Sequence, residues 1–156
     1  MTGTSSSVSA LFVCAGVACA QVGFVDATIS ANLAASQSNE DGIAAGILAA
    51  DYDLDGDTDL FLPQRQGVPH VLYQNQGDGT FVDVAPAVGL DVLESARAGV
   101  WLDHDGDHDL DLLLINDHGS APYRFRLYEH LPGGTFQDVT VAAGLGVTSF
   151  ITYCGG

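Results

Sequence analysis

The chain repeats itself, and this internal repeat restricts its possible folds more than any other feature. The segment Gly79–Val84 returns 55 residues later as Gly134–Val139, and the acidic stretch Asp51–Asp59 returns 52 residues later as Asp103–Asp111. A partial third copy, Gly23–Thr28, precedes its first full counterpart by 57 residues. Repeats of this length are typical of solenoids and propellers, in which each repeat is one supersecondary unit.

Each repeat contains short apolar runs separated by turn signals, which is the pattern of β-strands. Leu60–Leu62 and Leu112–Ile115 directly follow the acidic stretches, and Val71–Tyr73 and Phe125–Tyr128 come next in each copy. Glycine-containing segments such as Gln76–Gly79 then predict hairpins. Four short strands in roughly 50 residues correspond to the size of a propeller blade.

The sequence therefore predicts an all-β fold with two four-stranded antiparallel propeller blades. Phe24–Asp26 is predicted to be one N-terminal strand of another blade, and Ala85–Gly89 and Thr140–Gly144 to be single helical turns closed by glycine. Since a closed propeller takes about four to eight blades, we expect an incomplete propeller. A small open solenoid whose end strands need partners is the alternative.

Half of the 20 acidic residues lie in two acidic loops, Asp51–Asp59 and Asp103–Asp111. Charge at this density repels itself unless a cation binds there. Alternate carboxylates on a tightly curved loop converge on one point, and Ca²⁺ takes about six to eight hard oxygen ligands. We therefore predict one Ca²⁺ per loop, with the candidate ligands Asp51, Asp53, Asp55, Asp57, Asp59, Asp103, Asp105, Asp107, Asp109 and Asp111.

Other cations, and a turn without metal, are the alternatives for these loops. The helix–loop–helix calcium motif needs Glu at loop position 12, where this chain has Leu62 and Leu114. Mg²⁺ usually keeps several waters, and Zn²⁺ favours nitrogen and sulfur ligands, so neither matches a set of aspartates. A solvated acidic turn that holds no metal stays open as the alternative.

The histidines are expected to lie at the surface, outside any site. His104 and His108 occupy loop positions that should point away from the ion. His108 also stands where the first loop has Gly56, at a position expected to need a left-handed backbone, so the first loop is expected to bind more tightly. The remaining three lie at the ends of strands or loops: His70, His118 and His130.

Residues 1–20 predict a secretory signal peptide, and hence a secreted, extracellular or cell-surface protein. They contain no charged side chain, and the Ala-Cys-Ala of residues 18–20 fits a cleavage site before Gln21. The apolar run is too short for a membrane span, which needs about 18 residues. Lipidation of Cys19 and a buried N-terminal strand or helix are the alternatives. Cleavage leaves Cys154, without an internal disulfide partner.

The charge of the chain excludes several classes of partner. The net charge is −16, with four arginines and no lysine. Neutralising phosphates needs a basic face, so nucleic-acid binding is excluded and anionic membrane surfaces are disfavoured. A halophilic protein with an acidic surface is a further possibility, but the concentration of acids in two loops is not explained by it.

These elements resemble the FG-GAP/VCBS repeat family, the integrin-alpha-type β-propeller, and especially its secreted branch that includes cartilage acidic proteins. The matching residues are the acidic loop from Asp51 to Leu60, the hairpin from Leu72 to Phe81, and Val84 to Leu90. The resemblance covers about residues 23–145. It implies that the loops hold Ca²⁺, with the fourth aspartate of each acting through its carbonyl. His108, and Glu129–Pro132 in place of Tyr-x-Asn-x-Gly, depart from the family pattern.

The leader and the repeat period together predict the domain organisation. We expect a signal peptide at 1–20, an N-terminal strand and linker at 21–40, blades at 41–90 and 91–145, and the start of a truncated further blade at 146–156. No arrangement of a nucleophile and a base is recognisable, so we expect no catalysis. The remaining blades would come from a missing part of the chain or from other copies. The implied function is extracellular protein or glycan binding, or adhesion. The alternative is a non-catalytic propeller part of a larger lyase or hydrolase.

Overall fold

The computed structural model describes residues 23–33, 46–116 and 124–146. Within them the chain forms two four-stranded antiparallel sheets, with the orders β1-β2-β3-β4 and β5-β6-β7-β8. The predicted all-β fold with two blade-like sheets is therefore confirmed, and the sheets are not closed into a ring. The elements are β1 Leu48–Ala50, β2 Asp59–Leu62, β3 Val71–Asn75, β4 Phe81–Asp83, α1 Ala85–Val88, β5 Ala96–Leu102, β6 Asp111–Asn116, β7 Phe125–Leu131 and β8 Thr135–Asp138.

The register of the two sheets follows the repeat in the sequence. In the first sheet Leu60 of β2 lies opposite Tyr73 of β3, and in the second Leu112 of β6 lies opposite Tyr128 of β7. In each sheet the acidic loop joins the first strand to the second, so the two acidic loops occupy equivalent positions.

The helical turns after the last strands differ between the two copies. In the first copy α1 contains Pro86 in its first turn and ends at Gly89, whose φ is 85°. In the second copy Thr140–Gly144 forms a hydrogen-bonded turn, and Gly144 has a φ of 78°. Because α1 is the one helix among the described residues, the predicted scarcity of helix is confirmed for that part of the chain.

The predicted N-terminal strand Phe24–Asp26 is wrong, since the structure assigns no strand there. A strand is held by hydrogen bonds to a neighbour, and no neighbouring strand pairs with this segment among the described residues. The turn that follows does match the repeat: the Ala31 N–H donates to the Ala27 carbonyl at 2.7 Å. Asn32, with a φ of 60°, takes the place of Gly89 and Gly144.

The N-terminal turn and α1 make equivalent contacts with the next sheet. Asn32 donates from Nδ2 to the Phe81 carbonyl, and the Phe81 N–H donates to Ala31, both at 3.0 Å. Likewise, Gly89 lies so close to the Phe136 carbonyl that a Cβ there would stand 3.3 Å from that oxygen. Each turn therefore docks on the phenylalanine of the following repeat.

The core lies between the two sheets. Leu48, Phe61 and Leu72 of the first sheet share one buried cluster with Leu112 and Leu114 of the second. Gly99 on β5 allows this close approach, because a Cβ there would lie 2.9 Å from the Leu113 carbonyl oxygen and 3.0 Å from Leu48 Cδ2. These contacts fix the two acidic loops in one packed unit.

Two histidines expected at the surface are buried, so that prediction is wrong for them. His70 is 1% exposed, and its Nδ1 accepts the Gln64 N–H at 2.9 Å. His130 is 8% exposed and stacks on Phe136 at a centroid distance of 4.6 Å. Both lie on strands or strand ends that face the core, which sequence position alone did not reveal.

Several predictions fall on parts of the chain outside the described residues. These are the signal peptide with its cleavage site, Cys19 and its lipidation, His118, Cys154, the linker at 34–40 and most of the truncated further blade.

Candidate metal centres

In the first acidic loop three carboxylates converge. Ligand oxygens of Asp51, Asp53 and Asp59 lie within 4.8 Å of one another. Backbone N–H groups orient the first of them: Asp55 donates to one carboxylate oxygen of Asp51 and Gly56 to the other, each at 3.0 Å. The loop therefore wraps around its own first aspartate.

A glutamine from the neighbouring strand also reaches this loop. Gln74 on β3 donates from Nε2 to Asp53 Oδ2 at 2.6 Å. Gln74 was not among the predicted site residues. Its equivalent in the second repeat is Glu129. The carboxylate of Glu129 has no side-chain N–H and cannot donate a hydrogen bond in this way.

The last aspartate of each loop is buried and ties the loop to its sheet. Asp59, 1% exposed, accepts the Tyr52 N–H at 3.1 Å and the Asn75 N–H at 2.8 Å. Asp111, fully buried, accepts the N–H groups of His104 and His130 in the same way, both at 2.8 Å. The equivalent hydrogen bonds show that the two loops share one backbone design.

The second acidic loop contains two overlapping clusters. One is made of carboxylates alone, from Asp103, Asp105 and Asp107, and the other combines His104 with Asp105 and Asp111. Within each cluster the ligand atoms lie within 4.8 Å of one another. The Gly106 and His108 N–H groups donate to the two oxygens of Asp103. His108 matches its first-loop counterpart Gly56, whereas the other donor of the first loop is Asp55 and not Leu54, the counterpart of Gly106.

Three of the ten predicted ligands stand outside these clusters. Asp55 accepts the Asp57 N–H at 2.9 Å. A Cβ added at Gly77 would lie 2.8 Å from Asp57 Oδ2, so the Asp57 carboxylate is directed at the β3–β4 hairpin. Asp109 is directed at His130, with 3.9 Å between Asp109 Oδ2 and His130 Nδ1.

Both loops place two residues in the left-handed region, at their fourth and sixth positions. In the first loop these are Leu54, with a φ of 61°, and Gly56, with a φ of 99°. In the second they are Gly106, with a φ of 86°, and His108, with a φ of 78°. The left-handed backbone expected at His108 is therefore present. Each loop, however, has one glycine and one non-glycine residue at these two positions. Backbone strain therefore gives no reason to expect tighter Ca²⁺ binding in the first loop.

The expectation for the loop histidines is right for His108 and wrong for His104. The His108 side chain is 92% exposed. The His104 side chain is 21% exposed and turns inward, with its Nδ1 2.7 Å from Asp111 Oδ2. Tyr52, at the same position in the first loop, is also turned inward and stacks on Trp101 at 6.1 Å. Comparison of the two repeats at this position was the signal that could have identified His104.

The pKa values of the two closing aspartates, Asp59 and Asp111, shift in opposite directions. Burial raises the pKa of Asp59, and two backbone hydrogen bonds offset this only in part. Burial acts in the same direction on Asp111, but its backbone hydrogen bonds and the His104 imidazole together hold its pKa below the usual value. Burial and the neighbouring carboxyl groups of Asp107 and Asp111 raise the pKa of Asp109, which His130 offsets only in part. A bound cation would relieve the repulsion at Asp59 and Asp109.

The donor sets fit hard divalent cations differently. The first loop offers only oxygen atoms, which suits Ca²⁺. The second offers a carboxylate cluster of the same kind and, beside it, one imidazole nitrogen.

Among the described residues no helix is long and apolar enough to span a membrane.

Part of the chain, including both acidic loops, is similar to known proteins. Residues 51–114, which include both acidic loops, match the family described as the FG-GAP-like repeat. The chain is 36% identical over 84 residues to cartilage acidic protein 1 of Xenopus tropicalis, and equally so to the proteins of that name from Homo sapiens and Mus musculus. The match covers 53% of this chain and 12% of each relative, so the chain spans a small part of their length.

Proposed function

The chain carries an FG-GAP-like repeat over residues 51–114, and on this premise we propose that it is part of an extracellular, non-enzymatic interaction module whose two acidic loops bind Ca²⁺. The observation that carries the proposal is the convergence of carboxylates in both loops, at equivalent positions of two equivalent sheets. Its role would be to present loops to an extracellular protein or glycan.

The position of the loops supports a structural role for the ion. Each loop joins the first two strands of its sheet, and its last aspartate holds the third strand through an N–H group. Without a cation the carboxylates repel one another across this connection. A bound Ca²⁺ would therefore stabilise the strand order on both sides of the loop, and with it the surface presented to a partner.

An extracellular setting agrees with the expected affinity. Extracellular calcium modules bind with dissociation constants of roughly 0.1–1 mM, in contrast to the much tighter cytosolic buffers. These loops are exposed at several of their carboxylates, including Asp55 and Asp107. Such sites fill where free Ca²⁺ is abundant, which supports secretion or cell-surface display.

Thermal unfolding of the full chain tests the proposal. We expect Ca²⁺ to raise the melting temperature, with a free-energy gain of about 2.7 kcal/mol at a concentration of a hundred dissociation constants. NaCl at matched ionic strength should give a much smaller rise, because screening acts without filling a site. Equal rises in CaCl2 and NaCl would contradict the proposal and indicate solvated acidic turns.

Matched substitutions at the third position of each loop supply the control. Asp53→Asn and Asp105→Asn each remove one charge from one carboxylate cluster while preserving side-chain shape. Each variant should lose part of the calcium-dependent stabilisation. The proposal fails if both variants respond to Ca²⁺ as the unaltered chain does.

A further inference from the structure

We propose that His70 is a pH-sensitive latch where the two sheets join: its neutral ring holds the β2–β3 connection in place, and protonation of the ring releases it. The β2–β3 connection is the segment of residues 63–70. This goes beyond the proposed function, because the latch needs no metal and lies outside both acidic loops. Acidic pH thereby loosens the contact between the two sheets.

Backbone hydrogen bonds join the β2–β3 connection to residues 92–96, which lead the chain into the second sheet. The His70 N–H donates to the Val92 carbonyl at 3.2 Å. The Ala96 N–H, at the start of β5, donates to the Gln64 carbonyl at 3.1 Å. A change that displaces Gln64 or His70 therefore also displaces the entry into the second sheet.

The His70 ring holds Gln64 through the lone pair that protonation removes. His70 Nδ1 accepts the Gln64 N–H at 2.9 Å, so the proton of the neutral ring lies on Nε2. The residue is 1% exposed, and Nε2 is buried with no hydrogen-bond partner among the described residues. A protonated histidine donates from both ring nitrogens. The cationic ring would therefore oppose the Gln64 N–H with an N–H of its own, and the hydrogen bond that holds the connection is lost.

Burial, and not a neighbouring charge, opposes protonation of His70. It lowers the pKa of His70 to about 4, against about 6.5 for an exposed histidine. The charged residues on the chain segments around the ring are Arg65, Asp91, Glu94 and, on β2, Asp59. Arg65 and Asp91 are exposed, Glu94 forms an ion pair with the second sheet, and Asp59 accepts backbone N–H groups. Because none of these acids stabilises the protonated ring, protonation favours a state in which the ring has left its site.

The second repeat makes the equivalent hydrogen bond to an acceptor that does not titrate. Asn116 is the counterpart of Gln64, and its N–H donates to the Arg124 carbonyl at 2.9 Å. A backbone carbonyl keeps its lone pairs throughout the pH range in which histidine titrates. In the first repeat the side chain of His70 takes the place of this main-chain acceptor, so the pH-sensitive bond lies where the first sheet meets the second.

Amide hydrogen exchange of the full chain, followed by NMR at pH 7 and at pH 5, tests the latch. The rates are expressed as protection factors, which removes the intrinsic pH dependence of exchange. We expect protection at Gln64 and Ala96 to fall about twentyfold, because the pKa of the ring is about 4 in the fold and about 6.5 when released. Asn116 is the internal control, and its protection should fall much less.

The single tryptophan, Trp101, gives a second readout at the same junction. Its ring lies 6.1 Å from that of Phe61, which in turn lies 5.6 Å from the His70 ring, as centroid distances. The fluorescence of Trp101 should therefore change between pH 7 and pH 5, while the far-UV circular dichroism stays that of the folded chain.

The variant His70→Gln keeps an oxygen acceptor in reach of the Gln64 N–H but does not titrate. Its protection at Gln64 and Ala96 should be the same at both pH values, and a fall as large as in the unaltered chain would overturn the proposal, since the carboxylates would then be responsible. Equal falls at Gln64, Ala96 and Asn116 in the unaltered chain would also overturn it, because acid would then act by global unfolding. This second comparison needs no variant, so it decides the matter even where His70→Gln does not fold.

Discussion

The second residue of the first acidic loop is Tyr52 and that of the second loop is His104, and both side chains are turned toward the interior. Tyr52 is 4% exposed and contacts the rings of Trp101, His130 and Phe136. His104 instead contacts the carboxylate of Asp111. At this position the first repeat uses an apolar ring for packing between the sheets, and the second uses a polar ring within its own loop.

This difference shows that a repeated backbone leaves room for divergent chemistry. The hydrogen bonds from the second residue's N–H to the closing aspartate are the same in both loops. Only the side chain changes, because the first loop faces the second sheet and the second loop has no following sheet among the described residues. Position in the array, as well as position in the repeat, decides what a side chain contacts.

The largest expected effect comes from His70, a buried histidine whose counterpart in the second repeat is Phe125. Burial lowers the pKa of His70 to about 4. The neutral form is favoured in the fold, so this stability is present above about pH 6.5 and is lost as pH falls toward 4, by up to about 3 kcal/mol. Denaturant unfolding between pH 7 and pH 4 measures the loss.

The variant His70→Phe carries the second repeat's residue and removes the titrating group. It should be less stable than the unaltered chain at pH 7, because the Gln64 N–H loses its acceptor. Its stability should then fall less between pH 7 and pH 4, because no buried imidazole is left to take up a proton. Parallel pH profiles for the variant and the unaltered chain would show that the pKa of His70 is the same in the folded and unfolded states, which would contradict the prediction.

The next effect tests the contact between the sheets. Gly99→Ala places a Cβ 2.9 Å from Leu113 O and Leu114 Cδ2, so β5 or its neighbours must shift. We expect a loss of about 1–3 kcal/mol. Gly46→Ala is the matched control, because a Cβ there meets no atom within 4 Å. Equal stability of the two variants in urea would mean that the sheets do not pack as described.

A smaller effect is expected at the left-handed glycines of the loops. Gly56→Ala and Gly106→Ala add a side chain where φ is 99° and 86°, in open space, so backbone strain alone opposes the change. We expect each to cost about 1 kcal/mol of folding free energy. Similar costs would support the equivalence of the two loop backbones, and a cost in one loop only would break it.

The smallest effect is expected where the loops already carry side chains in that region. Leu54→Gly should relieve more strain than His108→Gly, because histidine tolerates the left-handed region better than leucine. The entropy of the unfolded chain offsets part of each gain, so we expect changes of a few tenths of a kcal/mol. A larger rise in melting temperature for His108→Gly than for Leu54→Gly would contradict this, because it would mean that His108 is the more strained of the two residues.

The repeat made much of the fold predictable from the sequence. Strands with alternating faces and glycine-closed turns depend on local pattern, and β2, β3, β6 and β7 lie where the apolar runs predicted them. Phe24–Asp26 could not be placed this way, because a strand depends on its neighbour as well as on its own residues. The clustering of Asp51 and Asp53 followed from their spacing, whether or not an ion binds there.

The inward histidines could not be predicted from spacing, because their environment is set by contacts distant in the chain. His104 was assigned an outward position from the alternation of the loop. Its ring instead forms a hydrogen bond with the closing aspartate, Asp111. Asp111 is buried because it also accepts a hydrogen bond from the His130 N–H. Similarly, His130 is buried because Tyr52 and Phe136 pack against it from another loop and another strand.

Calcium stoichiometry by isothermal titration calorimetry tests most directly whether the two loops are equivalent cation sites. The full chain, freed of metal by chelation, should bind two Ca²⁺, one per acidic loop, and Asp53→Asn and Asp105→Asn should each bind one. MgCl2 should give little heat, because Mg²⁺ keeps its waters in preference to a cage of carboxylates. No calcium heat, or heat that is the same in both variants as in the unaltered chain, would contradict the assignment of the loops as calcium sites.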